Sequence, residues 1–379
     1  MQSETLISHA QSLIGAIQAD AQKTEANRRL SQEIALAMAE LNLYRTAAPV
    51  EIGGLDADTC TQMRVIETIS RAGGAAGWNL MIGMEIFGLV GPSMDTCRDL
   101  VADPRTILAG STAAVGNAEV TKEGYLVSGQ WQFVSGIHNA NAFGATVRTT
   151  KNGEPTDDTL RYAMIPHGDY EIVDTWHVTG LRGSGSHDVR VVNALVPCNR
   201  LVPTLGQGTM QSRQLQIPLG VRLTFNKVAV SLGIARAGID AFRELARGKT
   251  PRFSSRKLQE RHIAHLAIAH AEARLRSARA GIYEHAKHVW EVCQRESNLT
   301  DQDRALAHVL ACDTVKAAID CVDFLLEAAG TSSNFLDSPL NRIARDVRVV
   351  QQHTTVSPHH LGDAGRVLLG LEPRGILTT

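Results

Sequence analysis

Apolar residues recur at helical spacing along the first and last parts of the chain. In residues 4–43 they lie three, four or seven residues apart, or at sums of these steps, with polar residues between them: Leu6, Leu13, Ile17, Leu30, Ile34, Met38 and Leu41. One face of residues 258–295 repeats this spacing: Leu275, Ala278, Ile282, Ala286, Val289 and Cys293. Both regions are therefore predicted to be helical.

The middle of the chain, residues 105–200, follows a different pattern. Aromatic and β-branched residues are interleaved there with polar residues and glycines, and turn sequences interrupt them at 122–124 and 151–155. This pattern is typical of strands. Because the strands stand between two helical regions and do not alternate with helices, the order predicts an α+β fold rather than a βαβ array.

The chain of 379 residues divides accordingly into three predicted domains. A helical domain is expected over residues 1–104, a β domain over 105–203 and a second helical domain over 204–379. A chain of this length is too long for one ordinary core and suits two or three packed domains.

Charge and cysteine content narrow the environment of the protein. Lys plus Arg number 38 against 39 for Asp plus Glu, and a formal net charge of −1 provides no overall field for a nucleic acid. The six cysteines form no CxxC pair, and the first residues lack the basic and apolar regions of a signal peptide. Residues 75–90 are strongly apolar, but Asn79, Glu85 and several glycines favour a buried helix over a membrane span. We expect a cytoplasmic protein without a membrane or nucleic acid partner.

Several well-known catalytic signatures are missing from the chain. It contains no GxGxxG, GxxxxGK[ST], HExxH or GxSxG sequence, so no motif indicates a dinucleotide, nucleoside triphosphate or serine-hydrolase site. Two histidine pairs stand at helical spacing, His262/His265 and His285/His288. Two histidines alone do not make a metal site, and we expect no metal.

Candidate chemistry concentrates in two segments of the β domain, GQWQFVSG at 129–136 and GLRGSGSHDVRVVNALVP at 180–197. Trp131 and Phe133 stand at alternate positions and are predicted to share a sheet face, with Ser135 following on the same face. Such a face would be a platform for a planar ring with a hydroxyl at its edge. The alternative is an ordinary strand with aromatic core residues and a terminal serine.

These segments resemble a known family. The pattern W-x-F-x-S-G, followed by W-x-x-x-G-L-R-G-[ST]-G-S-x-D-V, is similar to that of the acyl-CoA dehydrogenase superfold, and more narrowly to the group D two-component flavin-dependent monooxygenases. The resemblance covers nearly the whole chain. It implies an N-terminal helical domain, a middle β-barrel-like domain and a C-terminal four-helix bundle.

The resemblance also implies a flavin site. Phe133 would pack on the isoalloxazine ring, and Ser135 would form a hydrogen bond near its N5 atom. Backbone contacts to the flavin are implied at Gly110, Ser111 and Gly116. Arg252 and Phe253 resemble an Arg/Phe pair that a neighbouring subunit lends to the flavin phosphate region. The family usually has R-x-x-F-G there, whereas here the Arg directly precedes the Phe and no Gly follows.

The C-terminal segment separates the two branches of this family. Arg345 and Asp346 match the R-D pair that opens the last catalytic stretch in both branches. In many dehydrogenases a glutamate base stands nine residues after that Arg, but here the position holds Thr354. The other usual position for the base is also empty, since residues 189–239 contain no Asp or Glu. His353 precedes Thr354, and the resemblance to the monooxygenases implies an acid/base role for it beside the flavin.

A substrate pocket is predicted along the apolar helix 78–90. Trp78, Met81, Met84 and Phe87 follow one another at steps of three residues and would suit a flat apolar ring. Glu85, a carboxylate on the same apolar helix, requires a partner. The alternative is that these residues simply pack in the core.

The resemblance implies an oxygenase component. It would take reduced flavin, FADH2 or FMNH2, from a separate NAD(P)H-dependent flavin reductase and use O2, through a C4a-(hydro)peroxyflavin, to hydroxylate or epoxidise a small aromatic. The apolar pocket helix favours an indole-like heteroaromatic substrate, and the fold it resembles is usually a homotetramer. The alternative function is a flavin-dependent acyl-CoA dehydrogenase or oxidase with a displaced base. A third hypothesis is a helical scaffold that has lost its flavin.

Overall fold

The computed structural model describes residues 2–378 except 205–207 and 296–297. Its first part is helical, as the apolar spacing predicts, with α1 (Gln2–Ser12), α2 (Ile14–Asn27), α3 (Gln32–Glu40), α4 (Thr59–Ala72) and α5 (Gly74–Val90). The helical stretch predicted over 4–43 folds as the three helices α1 to α3. It is interrupted after α2 because Arg28 adopts a left-handed backbone with φ of 52°.

All strands of the described residues lie between 108 and 203, where the alternating pattern predicts them. They are β1 (Leu108–Val120), β2 (Tyr125–Val134), β3 (Ala142–Lys151), β4 (Glu154–Pro166), β5 (Glu171–Val173), β6 (His187–Val196) and β7 (Leu201–Pro203). They form one sheet in the order β5-β6-β2-β1-β3-β4-β7. The pair β1–β3 is parallel and the others are antiparallel, so the sheet is mixed.

The last part of the chain is helical again, with α6 (Leu219–Gly248), α7 (His262–Gln294), α8 (Asp301–Ala329), α9 (Pro339–Val350) and α10 (His360–Leu368). Helix α8 packs against α6, α7, α9 and α10. A short 3-10 turn at Thr354–Val356 follows α9 and contacts both α6 and α8. This turn is preceded directly by His353, so the packing of the bundle fixes where that side chain lies.

Helix α5 connects the sheet to the C-terminal helices, since it contacts β1, α6 and α9. Every residue of α5 from Ala76 to Val90 is buried except Ile82, which is partly exposed. The prediction of a buried helix over this segment is confirmed. None of the helices in the described residues is long and apolar enough to cross a membrane.

Candidate active site between the sheet and the last helices

The end of strand β2 departs from regular alternation. Trp131 is wholly buried, and its indole Nε1–H donates to the carbonyl of Thr146 at 3.1 Å. Phe133 is 68% exposed and has φ of 58°, at a point where the pairing of β2 with β6 shifts register. The prediction that these two rings share a face is wrong, because the positive φ turns Phe133 out of the strand pattern. The exposed Phe133 ring meets Trp176 edge to face, with 6.2 Å between ring centroids.

Strand β1 is irregular at the corresponding level of the sheet. Its pairing with β3 shifts register between Ser111 and Gly116. Its pairing with β2 places Asn117 opposite Ser128, and continuing that register would bring residue 112 opposite Phe133. Residues 112–115 therefore lie in the irregular part of β1, where the Ala113 N–H is bonded to the Ser111 hydroxyl at 3.3 Å.

The three β1 residues predicted to contact a flavin also have contacts within the protein. The Ser111 carbonyl accepts the hydroxyl of Thr146 at 2.6 Å. A Cβ on Gly110 would collide with Ile86, and a Cβ on Gly116 would collide with the Trp131 ring. Packing against the Trp131 ring thus requires a glycine at 116, whereas the end of the Ile86 side chain could yield at 110, and the role of both glycines toward a flavin stays a prediction.

Three predicted site residues from different parts of the chain meet at one point. The indole Nε1–H of Trp78, on α5, donates to the Ser135 hydroxyl at 3.0 Å. The same indole ring packs edge to face against the imidazole of His353, with 5.7 Å between centroids. Trp78 and Ser135 are buried, while His353 is half-buried. Trp78 therefore joins the end of β2 to the turn that follows α9.

Two further serines belong to this point and were missed by sequence reasoning as functional residues. Ser186 Oγ lies 2.7 Å from Ser135 Oγ and 2.7 Å from Ser184 Oγ, so the three hydroxyls form a continuous chain. All three serines are buried. The signal that could have found the two additional serines is the GSGS sequence inside the second β-domain motif.

His353 is held in one orientation by its own turn. Its Nδ1 atom accepts the backbone N–H of Thr355 at 3.3 Å and lies 3.0 Å from the Thr355 hydroxyl. Burial, with a contribution from the positive charge of Lys227, lowers the pKa of His353 to about 3. The imidazole is therefore neutral near pH 7, and since Nδ1 is the acceptor, its proton is on Nε2.

Glu85 has the partner that its position on an apolar helix requires. Its carboxylate forms an ion pair with the ammonium of Lys227 and accepts the side-chain amide of Asn226 at 3.2 Å. All three side chains are buried. Burial raises the pKa of Glu85 and lowers the pKa of Lys227, and the attraction between the two groups opposes both shifts. Neither Lys227 nor Asn226 was predicted as a site residue.

The predicted pocket stripe on α5 divides between two sides of the helix. Residues seven apart share a helix face, so Trp78 and Glu85 point the same way, with the partly exposed Ile82 between them. Steps of three residues drift by about 60° each, which carries Phe87 to the opposite side. Its ring lies under the guanidinium of Arg45 at 5.2 Å. Met81 and Met84 are wholly buried in the main core, so the stripe does not line one pocket.

The R-D pair ties α9 to the loop between β5 and β6. Arg345 bonds to Glu25 at 2.7 Å and to the carbonyl of Thr179. The buried Asp346 accepts the backbone N–H of Leu181 at 2.6 Å, and its burial raises its pKa to about 7. Gly180 lies so close to the α9 backbone that a Cβ there would overlap the carbonyl of Arg345.

Arg252 and Phe253 lie apart from this point, on the loop between α6 and α7. Phe253 is 95% exposed with φ of 62°, and the Arg252 guanidinium stacks over its ring at 4.8 Å. Within the described residues, no hydrogen bond or ring contact joins the pair to Ser135 or His353. Their predicted contribution to a neighbouring subunit stays a prediction.

The residues at this point fit the isoalloxazine ring of a flavin. An exposed Phe133 ring offers an apolar face, a buried serine hydroxyl lies two residues further on, and β1 is irregular between Ser111 and Gly116. A flavin ring system has an apolar plane and a polar edge that accepts and donates hydrogen bonds, so the donor set matches its chemistry. The only carboxylate on this face of α5, Glu85, is occupied by its ion pair.

Comparison with known proteins agrees with this description. The model of the acyl-CoA dehydrogenase N-terminal domain matches residues 8–91, and that of the C-terminal domain matches residues 226–358. Indole-3-acetate monooxygenase of Pseudomonas putida is 28% identical over 350 residues, which are 92% of this chain and 90% of that protein. The oxygenase subunit HsaA of a flavin-dependent monooxygenase of Mycobacterium tuberculosis is 25% identical over 368 residues, 94% of this chain and 93% of that one.

The fold is shared with solved structures. XiaF from Streptomyces sp., in complex with FADH2 and glycerol, superposes with a TM-score of 0.86 at 22% identity, covering 99% of this chain and 97% of that chain. The helix–sheet–helix architecture predicted from the sequence is confirmed, and the relatives favour the monooxygenase branch over the dehydrogenase branch. The chain belongs to the acyl-CoA dehydrogenase family, and the relatives that match nearly all of it are oxygenase components of flavin-dependent monooxygenases.

Proposed function

We propose that this protein inserts one oxygen atom from O2 into a small aromatic substrate, at the expense of reduced flavin supplied by a separate reductase. The flavin gives two electrons, one oxygen atom enters the substrate by hydroxylation or epoxidation, and the other leaves as water. The observation that carries the proposal is that Trp78 contacts both Ser135 and His353. The carboxylate on the same face of α5, Glu85, is held in an ion pair with Lys227.

The residues that would hold the flavin come from both irregular strands. Phe133 would cover one face of the isoalloxazine, Ser135 would bond near N5, and the backbone around Gly110, Ser111 and Gly116 would bind the ring edge. Bound reduced flavin supplies the two-electron reduction of O2, which protein side chains alone cannot provide. Either FAD or FMN is compatible with these contacts.

His353 acts as a hydrogen-bond donor in this proposal. Because Nδ1 accepts from Thr355, the neutral ring presents Nε2–H to the site. The pKa of about 3 keeps the ring neutral at working pH. His353 would thus orient an oxygen atom of the reacting species or of the substrate, and a role as a base would require the other tautomer.

An indole-like heteroaromatic is the proposed substrate class. Between Ala76 and Val90 the one partly exposed residue of α5 is Ile82, whose apolar side chain can contact a fused aromatic ring. The relative from Pseudomonas putida is an indole-3-acetate monooxygenase, which supports the same class.

The assembly and location follow from the same proposal. Arg252 and Phe253 project from the surface on the loop after α6, which suits a contribution to the flavin phosphate region of a neighbouring subunit in a homotetramer. All six cysteines are free thiols, which supports a reducing cytoplasmic location.

The direct test supplies the purified chain with NADH, a flavin reductase, FAD or FMN, and indole or a simple phenol under 18O2. We expect a product carrying one labelled oxygen, formed only when reductase and O2 are present. His353→Ala should retain flavin binding and lose product about 100-fold, since one positioned hydrogen-bonding group typically contributes on that order. His359→Ala is the matched control, because His359 is exposed and should leave turnover unchanged.

The dehydrogenase alternative has its own measurement. Oxidised flavin on the chain, mixed with an acyl-CoA in the absence of oxygen, should keep its colour. Bleaching of the flavin by acyl-CoA, or unchanged turnover of His353→Ala, would contradict the proposed function.

A further inference from the structure

The hydrogen-bond chain at Ser135 restricts how that hydroxyl can act. An indole N–H can only donate, so Trp78 necessarily occupies one of the two acceptor positions of Ser135 Oγ. Ser186 Oγ, at 2.7 Å, is the second protein partner of the same oxygen. A serine hydroxyl has two acceptor positions and one proton. Whether Ser135 donates into the site or accepts from it therefore depends on Ser186.

Ser184, at the far end of the row of three hydroxyls, decides in which direction their protons point. Ser184 is buried, and among the described residues Ser186 is the only partner of its hydroxyl. If the chain ran from Ser135 toward Ser184, the Ser184 proton would have no acceptor, which is costly for a buried donor. The opposite direction, Ser184 to Ser186 to Ser135, gives the Ser184 and Ser186 protons acceptors and moves the one proton without a protein acceptor to Ser135, at the end toward the proposed flavin. It fills both acceptor positions of Ser135 and leaves the Ser135 proton free to donate outward.

We infer that Trp78 and Ser186 are positioning residues that together fix Ser135 as a hydrogen-bond donor to the flavin, with Ser184 setting the direction. Trp78 has a second task in the same arrangement. Its ring packs edge to face with that of His353, so one side chain contacts both polar groups that are proposed to face the reaction. The role assigned to Trp78 is thus to align the site rather than to line a substrate pocket. This inference rests on the proposed function, since it takes the flavin edge as the acceptor of Ser135.

The first arm of the test uses the chain without flavin. The indole N–H signal of Trp78 is assigned by nuclear magnetic resonance with 15N-tryptophan and the Trp78→Phe variant. It should shift in Ser135→Ala, which removes its acceptor. It should shift also in Ser186→Ala, which does not touch the indole and acts only through Ser135. Ser128→Ala is the control, because Ser128 is a serine of the same strand whose hydroxyl bonds to Asn193.

The second arm measures binding of oxidised FAD or FMN, and the hydrogen peroxide released per product during turnover. Trp78→Phe keeps a ring beside His353 but loses the N–H, and Ser186→Ala removes the donor on the other side. Each should weaken flavin binding about three- to tenfold, the range expected for one hydrogen bond. Each should also raise peroxide release while leaving the KM for the aromatic within about twofold, a pattern that general loosening of the fold does not produce. The double variant should bind flavin no more weakly, and release no more peroxide, than either single variant, because both substitutions act through the Ser135 hydroxyl.

The outcomes separate this inference from the proposed function. An unshifted Trp78 signal in Ser186→Ala, or Trp78→Phe and Ser186→Ala variants that bind flavin and couple oxygen like Ser128→Ala, would overturn the inference. Failure of the unaltered chain to bind flavin in either redox state would overturn the proposed function instead, and the first arm would still decide whether the hydroxyl chain is connected. Trp290→Phe serves as the control for loss of a tryptophan, since Trp290 lies on α7 beside Arg213.

Discussion

Two regions beside the site differ in how their titratable side chains are stabilised. Between α5 and α6, Glu85 and Lys227 are brought together as an ion pair, and Asn226 adds a hydrogen bond. In and just after α9, the buried Asp346 and the half-buried His353 have no ionic partner among the described residues, and each accepts one backbone N–H. The first region depends on two charges compensating each other, whereas the second depends on each group remaining uncharged. The two regions should therefore respond differently to substitution and to pH.

Of the substitutions in these two regions, the one at Lys227 should lower the free energy of unfolding most. Replacing Lys227 by Met removes the direct ionic partner of the buried Glu85 carboxylate, and we expect a loss of about 3–5 kcal/mol in the free energy of unfolding. Chemical denaturation at pH 7 measures this loss. The double variant Glu85→Gln with Lys227→Met should regain most of it, because both members of the ion pair are then removed, although the buried Arg222 guanidinium remains nearby. A single variant as stable as the unaltered chain would show that the ion pair does not hold α5 on α6.

Asp346 should show a smaller effect that depends on pH. Its pKa is about 7 in the folded chain, above the ordinary value of 3.8, so the folded state holds the proton more tightly than the unfolded state. The resulting stabilisation is fully present below pH 3.8 and is lost as the pH rises through 7. Asp346→Asn retains an acceptor for the Leu181 N–H and removes the ionisation. It should match the unaltered chain near pH 4 and exceed it by roughly 2–4 kcal/mol at pH 8.

That prediction is checked by denaturation curves at several pH values. Asp337→Asn serves as the control, because Asp337 lies just before α9 and is exposed. Parallel pH profiles for Asp346→Asn and the unaltered chain would show that Asp346 is already ionised in the fold at low pH.

His353 should show the smallest effect on stability, with the opposite sign. Its pKa of about 3 lies below the ordinary value of 6.5, so the unfolded state binds the proton more readily. The stabilisation is present above pH 6.5 and is lost as the pH falls through 3. Between pH 6.5 and 5, His353→Asn should lose about 2 kcal/mol less stability than the unaltered chain. Denaturation at these two pH values measures the difference, and equal losses would contradict a neutral buried imidazole.

Sequence reasoning predicted the architecture because the two spacing patterns, helical and alternating, are local properties of the chain. It also selected Ser135 and His353 from different parts of the chain, and the fold brings both against Trp78. The selection of Ser135 and His353 rested on motif positions, and their roles in the site stay predictions.

The same reasoning failed where the backbone leaves its regular form. Strict alternation predicted Trp131 and Phe133 on one face of the sheet, but the positive φ at Phe133 turns its side chain away from that of Trp131. No residue type in this segment indicates such a backbone conformation. The stripe on α5 failed for a related reason, since steps of three residues drift around a helix and carry Phe87 away from Trp78. The sequence could not predict Lys227 as the partner of Glu85, because the two residues are 142 positions apart and only tertiary packing brings them together.

The close approach of Gly180 to the backbone of α9 has a consequence for entry into the site. Any larger residue at 180 would overlap the Arg345 carbonyl, and the neighbouring Leu181 N–H is already bonded to Asp346. The loop that carries Ser184 and Ser186 is thus held against α9, the helix that precedes His353. We expect the loop and the helix to move together. We therefore expect a ligand to approach Ser135 from the other side, where the ring of Phe133 is exposed.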